Sequence, residues 1–249
     1  MNAADHGSTT PATLLPLGAG AAMLVLFVGV ERRATQPIVP LRLFASRERG
    51  GAYVTRMLYM GAMMGFFFFT ARFVQSVYGW TPLQAGLSFL PMTLVNFAFA
   101  VRVSRLLERF GRPRVLAAGV ALTTVGMAWL SLLNLHTPHL TGVALPMMLI
   151  GAGQGLALAP MTSSGVDGVA EDAGAGAALV DTVHQIGSAL SLSILTAMAA
   201  HVSTGHRASD IATRAGAALT GSTVLLALAV ATVLTLIVPS RASRNERTL

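Results

Sequence analysis

Asp181, His184 and Gln185 put an acid, an imidazole and an amide at positions i, i+3 and i+4 of an otherwise apolar stretch, ALVDTVHQIGSALSLSILTAMAA, from Ala178 to Ala200. Those intervals stack all three side chains on one face of a helix. Ionisable groups inside a membrane span are costly and face a cavity or a partner. A helix starting near Gly174 or Ala177 carries His184 roughly 10–15 Å inward, close to the midplane of a ~30 Å hydrocarbon core. There an imidazole can exchange a proton with a wet cavity. Asp181, His184 and Gln185 either face such a cavity or form a polar clamp between helices. Other apolar runs carry Arg56, Tyr59, Asn96 and Gln154.

The composition makes lipid the solvent for these elements. Of 249 residues 53% are hydrophobic and 11% charged, against about 25% charged in a typical soluble domain. The net charge of +7 comes entirely from arginine among the basic residues, and the arginines cluster between apolar runs rather than along one soluble face. That placement argues against nucleic acid as a partner. With no cysteine there are no disulfides or thiolate metal sites. No metal or other cofactor is expected. The first 30 residues lack a basic stretch of the kind that opens a cleavable signal peptide.

Seven runs approach the ~20 residues that cross a bilayer: 13–30, 51–75, 83–103, 115–135, 140–161, 177–200 and 215–238. They are read as helices, because open strands leave backbone groups unsatisfied in lipid. Thirteen of the seventeen arginines fall between the first and second runs, between the third and fourth, or after the seventh. Alternating helices bring those stretches to one side, the cytoplasm by the positive-inside rule. The N-terminus is then outside and the C-terminus inside, with Arg207 and Arg214 in an external loop. Loop 162–176 is the exception, carrying Asp167, Glu171 and Asp172 in place of arginine. The organisation expected is an external segment and linker helix over 1–35, a cytoplasmic arginine-rich loop over 36–50, six helices over 51–238 and a cytoplasmic tail over 239–249. The fold class is all-α, polytopic, with inverted triplets 51–135 and 140–238. An odd number of helices and an external N-terminus without a signal sequence suggest that something precedes the chain.

Between the third and fourth runs stands VSRLLERFGRPRVLAAG. It resembles the cytoplasmic signature G-x-x-x-D-R-x-G-R-R of the major facilitator superfamily. Ser104 stands at the first glycine, Glu108 at the acid, then Arg109, Gly111 and Arg112, with Pro113 displacing the last arginine to Arg114. Such a carboxylate can meet a neighbouring helix N-terminus, and such arginines can pair with it or with lipid phosphate; together they can latch an inner gate. ERRATQPIVPLRLFASRERG (31–50), FVQSVYGWTPLQAGLSFLPMTL (73–94), PMMLIGAGQGLALAPMTSSGV (146–166) and ALVDTVHQIGSALSLSIL (178–195) follow in the order found in the C-terminal half of fourteen-helix, EmrB/QacA-like drug:proton antiporters. The resemblance runs from about Leu14 to Val238. It implies proton-coupled export of small amphipathic molecules across the plasma membrane, no enzymatic activity, and a missing N-terminal half as partner; it also implies that the second, third, fifth and sixth runs flank a central cavity, a translocation path lined by Arg56, Tyr59, Asn96, Gln154, Asp181, His184 and Gln185. Departures stand at Asp181, commonly Asn in that family, at His184, where many members have Arg, and at Arg72, a usually neutral position. The alternatives are a non-transporting subunit or degenerate fragment and, more remotely, an intramembrane hydrolase built on Ser163, Ser164 and His184.

GAGQG (151–155) lies inside an apolar run with no soluble strand before it, so it is no dinucleotide loop. Gly151 and Gly155 make a small-xxx-small face for close helix packing, and Pro160 is expected to weaken that helix near its cytoplasmic end. His136 and His139 bracket an exposed turn and are expected to be solvated. Phe66 to Phe69 read as lipid-facing or packed bulk. Arg56 and Asp181, each six or seven residues into a helix, are expected at similar depth, where they can pair.

Overall fold

The computed structural model describes residues 47–165, 173–203, 205 and 207–237, with Gly20, Ala22, Met23, Leu26, Gly29 and Val30 nearer the start. Those six early residues are helical; the rest of the expected linker span 13–30 lies outside the described residues. So do loop 36–46, the acidic residues Asp167, Glu171 and Asp172, and the tail 239–249.

The described chain is all helix: α1 (Arg47–Val77), α2 (Pro82–Leu87), α3 (Leu90–Phe110), α4 (Arg112–Leu130), α5 (Leu145–Gly165), α6 (Ala173–Val202) and α7 (Ala208–Thr232), with π turns at Leu140–Ala144 and Val233–Ile237. Counting α2 with α3, six are long and apolar enough to cross a membrane. Prolines explain the breaks. Pro91 lacks an N–H and its ring crowds the carbonyl four residues back, at Leu87, where α2 ends. Thr81 starts α2 with a capping box, its hydroxyl accepting from the Gln84 N–H while the Gln84 side chain accepts from the Thr81 N–H. Pro146 falls just after the π turn for the same reason. Pro160, in contrast, sits within α5, which runs five residues further to Gly165. The expected weakening at Pro160 does not end the helix, and Thr162, Ser163 and Ser164 are helical rather than in a loop.

The last helix begins at Ala208, so Arg214 lies in its second turn and not in a loop, its Nε donating to the Ser203 carbonyl at 2.5 Å. Asp210 closes that end by accepting from the Arg207 N–H and the Ser203 hydroxyl.

The packing follows the two triplets. The first helix of the first triplet, α1, packs mainly on α6 and α7 of the second; the first helix of the second, α5, packs mainly on α3 and α4 of the first. This reciprocal exchange is what two inverted repeats produce. Glycines set the closest approaches. A Cβ on Gly61 would meet the Gly187 carbonyl at 2.8 Å, and one on Gly119 would meet the Ala157 N–H at 2.8 Å. The core runs through Tyr59, Phe66 and Phe73 of α1, Leu116, Met127 and Leu130 of α4, and Leu219 and Leu226 of α7. Contacts group the helix ends as alternation requires. Gly51 of α1 abuts Leu236 and Ile237 after α7, while the Tyr78 hydroxyl donates to the Thr137 carbonyl at the other end.

Candidate functional site

Helix α6 divides into two faces. Gly187, Ser191, Leu195 and Ala199, spaced by four, are buried against the bundle. Asp181 and Gln185 are exposed on the opposite side with Ile186, Leu190 and Ile194, while His184 is half-buried between the faces. Of the expected 181–184–185 stack, Asp181 and Gln185 stand exposed, and His184 sits at its half-buried edge.

The register of α1 against α6 decides which groups meet. A Cβ on Gly187 would strike the Met57 backbone, and one on Gly61 would strike the Ser191 side chain, so residue i of α1 lies level with residue i + 130 of α6. Arg56 is then level with Ile186, and Asp181 with Gly51. The two backbone positions are five residues apart in height, about 7.5 Å of helical rise. This corrects the expectation of equal depth, and it is why the guanidinium turns elsewhere. Arg56 Nη1 donates to Thr162 Oγ1 of α5 at 3.3 Å, and Asp181 acts on Arg56 only through space. The Thr162 hydroxyl donates to the Leu158 carbonyl at 3.0 Å, leaving its lone pairs to accept from Arg56. The Arg56 Nε is buried without a hydrogen-bond partner. His184 is nearer the level of Arg56 and feels both Arg56 and Asp181 electrostatically.

Tyr59 is not a cavity residue. It is fully buried, and its hydroxyl lies 3.0 Å from Thr123 Oγ1 of α4. Because the Thr123 hydroxyl donates to the Gly119 carbonyl, Tyr59 is the donor to Thr123. Asn96 and Gln154 are half-buried at one level of the α3–α5 contact, where a Cβ on Gly155 would meet the Asn96 carbonyl at 2.5 Å. Gly151 presses on Met92 on the same face, and Gly153 on Thr123 and Gly119 across α5. Thus α5 carries glycines toward both α3 and α4, one more than the small-xxx-small face anticipated.

Of the gate-signature residues, Ser104, Glu108, Arg109 and Arg114 are exposed, and Gly111 and Arg112 half-buried. Gly111 ends α3 and begins α4 with φ 80°, a conformation that costs glycine little and other residues more. The Arg109 guanidinium lies 5.3 Å from the Phe110 ring centroid. The serine–histidine pair is not assembled. Ser163 Oγ donates to the Pro160 carbonyl, and Ser164 is fully buried with its hydroxyl unpartnered. Phe66 and Phe69 are buried while Phe67 and Phe68 are exposed.

The bundle end formed by the α1–α2 and α4–α5 connections holds a cluster that the sequence did not flag. His136 is exposed as expected, but His139 is half-buried. Its ring lies 4.6 Å from Trp80 and 5.9 Å from Tyr78, and its Nε2 is buried without a partner. Burial holds the His139 pKa below its ordinary 6.5 and raises that of Tyr78. Tyr78 and Trp80 lie in one connection and His139 in another, and only contact between the α1–α2 and α4–α5 connections shows that they meet.

Residues 4–192 match the family described as the Major Facilitator Superfamily. The chain is 36% identical over 232 residues to the cephamycin export protein CmcT of Amycolatopsis lactamdurans, covering 92% of this chain and 48% of that protein. It is 35% identical over 214 residues to the puromycin resistance protein pur8 of Streptomyces alboniger, covering 84% and 42%, and 30% identical over 194 residues to the lincomycin resistance protein of Streptomyces lincolnensis, covering 76% and 40%. It spans about half the length, or less, of each of these relatives. With six membrane-length helices in two reciprocally packed triplets and a family match over most of its length, this chain belongs to the Major Facilitator Superfamily.

Proposed function

We propose that this chain forms the C-terminal half of a proton-coupled exporter of small amphipathic molecules, in the fourteen-helix EmrB/QacA-like branch. One observation carries the reading: 92% of the chain aligns with a protein named for export, yet that alignment takes up 48% of the relative. The open faces of α3 and α6 support it. The membrane-length segments containing them are the least buried of the six, at 17% and 22%, as expected of helices that meet a second half. On this reading Asn96, Gln154, Asp181, His184 and Gln185 face the export path, and His184 carries the transported proton. Ser104, Glu108, Arg109, Gly111, Arg112 and Arg114 form the cytoplasmic latch. The protein sits in the plasma membrane with its N-terminus outside and its C-terminus in the cytoplasm.

The test is efflux of a fluorescent amphiphile from cells or vesicles holding a proton gradient. Met1–Leu249 alone is expected to give none, and co-expression with the N-terminal seven helices of a matching relative is expected to restore it. His184→Ala in the pair should uncouple efflux from the gradient. Robust efflux by the chain alone would overturn the half-transporter reading; no efflux from any well-expressed matched pair would favour a non-transporting fragment.

A further inference from the structure

The Arg56 site suggests a substrate class. We propose that Arg56 is the recognition point for an anionic group, a carboxylate or its equivalent, on the molecule handled by this protein. The inference deepens the export reading above and rests on it.

Three observations converge. First, Arg56 is a half-buried cation inside a membrane-length helix, and among the described residues no carboxylate touches it. The α1–α6 register puts Asp181 about 7.5 Å short of its level. Second, its donors are underused. A guanidinium carries five N–H donors in a planar fork; Arg56 spends one on Thr162 Oγ1, and its buried Nε meets no acceptor. Third, the fork is aimed by a built contact. Thr162 is anchored by its own bond to the Leu158 carbonyl, so it holds one edge of the guanidinium toward α5. Arg56 and Thr162 thereby join α1 to α5, with His184 of α6 within electrostatic reach of Arg56. In a low-dielectric segment, an oriented fork whose nearest described carboxylate, Asp181, acts only through space favours a planar anion that accepts two parallel hydrogen bonds. An ammonium would meet like charge there.

Naphthoate, its methyl ester and naphthylmethylammonium share an aromatic body and differ in charge. Their binding to purified Met1–Leu249 in detergent can be followed by ligand fluorescence and by thermal unfolding. Naphthoate is expected to bind about tenfold or more tighter than the ester, the scale of one charge-assisted hydrogen bond. Arg56→Gln should remove the preference, bringing naphthoate to the level of the ester. Arg56→Lys should keep the charge preference in weakened form, and Thr162→Val should weaken naphthoate several-fold by freeing the fork. Because Arg56→Gln removes a charge from a span, it is expected to fold, and a ligand-free unfolding temperature matching the parent protein serves as its control. Equal binding of naphthoate and ester, a preference for the ammonium, or an unchanged naphthoate preference in Arg56→Gln would overturn the proposal. These are binding readouts, so they separate the failure of anion recognition from the failure of export, which the paired flux assay measures.

Discussion

Two polar residues of α1, three positions apart, have different fates because they point in different directions. Arg56 reaches Thr162 on α5, whereas Tyr59 turns into the core and donates to Thr123. Tyr59→Phe is therefore expected to lower stability by about 1 kcal/mol, the usual value of one buried hydrogen bond, without changing which molecules bind. Thermal unfolding with a ligand panel checks this; an altered ligand preference would return Tyr59 to the cavity. His139 gives a pH prediction. Its folded-state pKa lies below 6.5 because burial disfavours the imidazolium. The unfolded or opened state then binds the proton more readily. The stability that His139 contributes to the Tyr78–Trp80 cluster is present above pH 6.5 and is lost as pH falls through the lower folded value. Trp80 fluorescence in a Trp129→Phe background should report a loosening on acidification, and His139→Phe should abolish that pH dependence.

Helix approach depends on glycines whose roles differ by position. A Cβ at Gly155 would lie 2.5 Å from the Asn96 carbonyl and 2.9 Å from the Phe99 Cβ, whereas one at Gly86 would meet nothing within 4 Å. Gly155→Leu is expected to separate α3 from α5 and sharply reduce the folded yield. Gly86→Ala, on a helix with open space beside it, should be neutral or stabilising by up to about 1 kcal/mol. Size-exclusion profiles and unfolding temperatures of the two variants check the contrast. Gly153, facing α4 against Thr123 and Gly119, should behave like Gly155.

For the whole molecule, alternation and the arginine bias make a single topology claim. The chain has no cysteine, so single cysteines can be introduced without background. A membrane-impermeant maleimide added to intact cells should label Gly79→Cys and His136→Cys but not Glu108→Cys, which should react only after permeabilisation. Labelling of all three from outside would break the six-span alternation. The reciprocal packing of α1 on the second triplet and α5 on the first also predicts that neither triplet, 51–135 or 140–238, folds alone.

The all-α class and six of the seven membrane-length runs were legible in the sequence. Length of apolar run is a one-dimensional quantity that lipid reads directly. The helix carrying Asp181, His184 and Gln185 was legible for a similar reason, but which of them stand open was not: Asp181 and Gln185 are exposed and His184 is half-buried. Everything that depended on how two helices slide or rotate against each other required the tertiary structure. Counting from helix starts put Arg56 and Asp181 at one depth; the glycine contacts offset them by five residues. Tyr59 looked like Arg56 in sequence, but its rotation toward Thr123 buries it. His139 stood in a polar turn, yet the meeting of two distant connections covers it with Tyr78 and Trp80. Register, rotation and the meeting of loops are fixed by side-chain packing between segments far apart in the chain, so no local pattern encodes them.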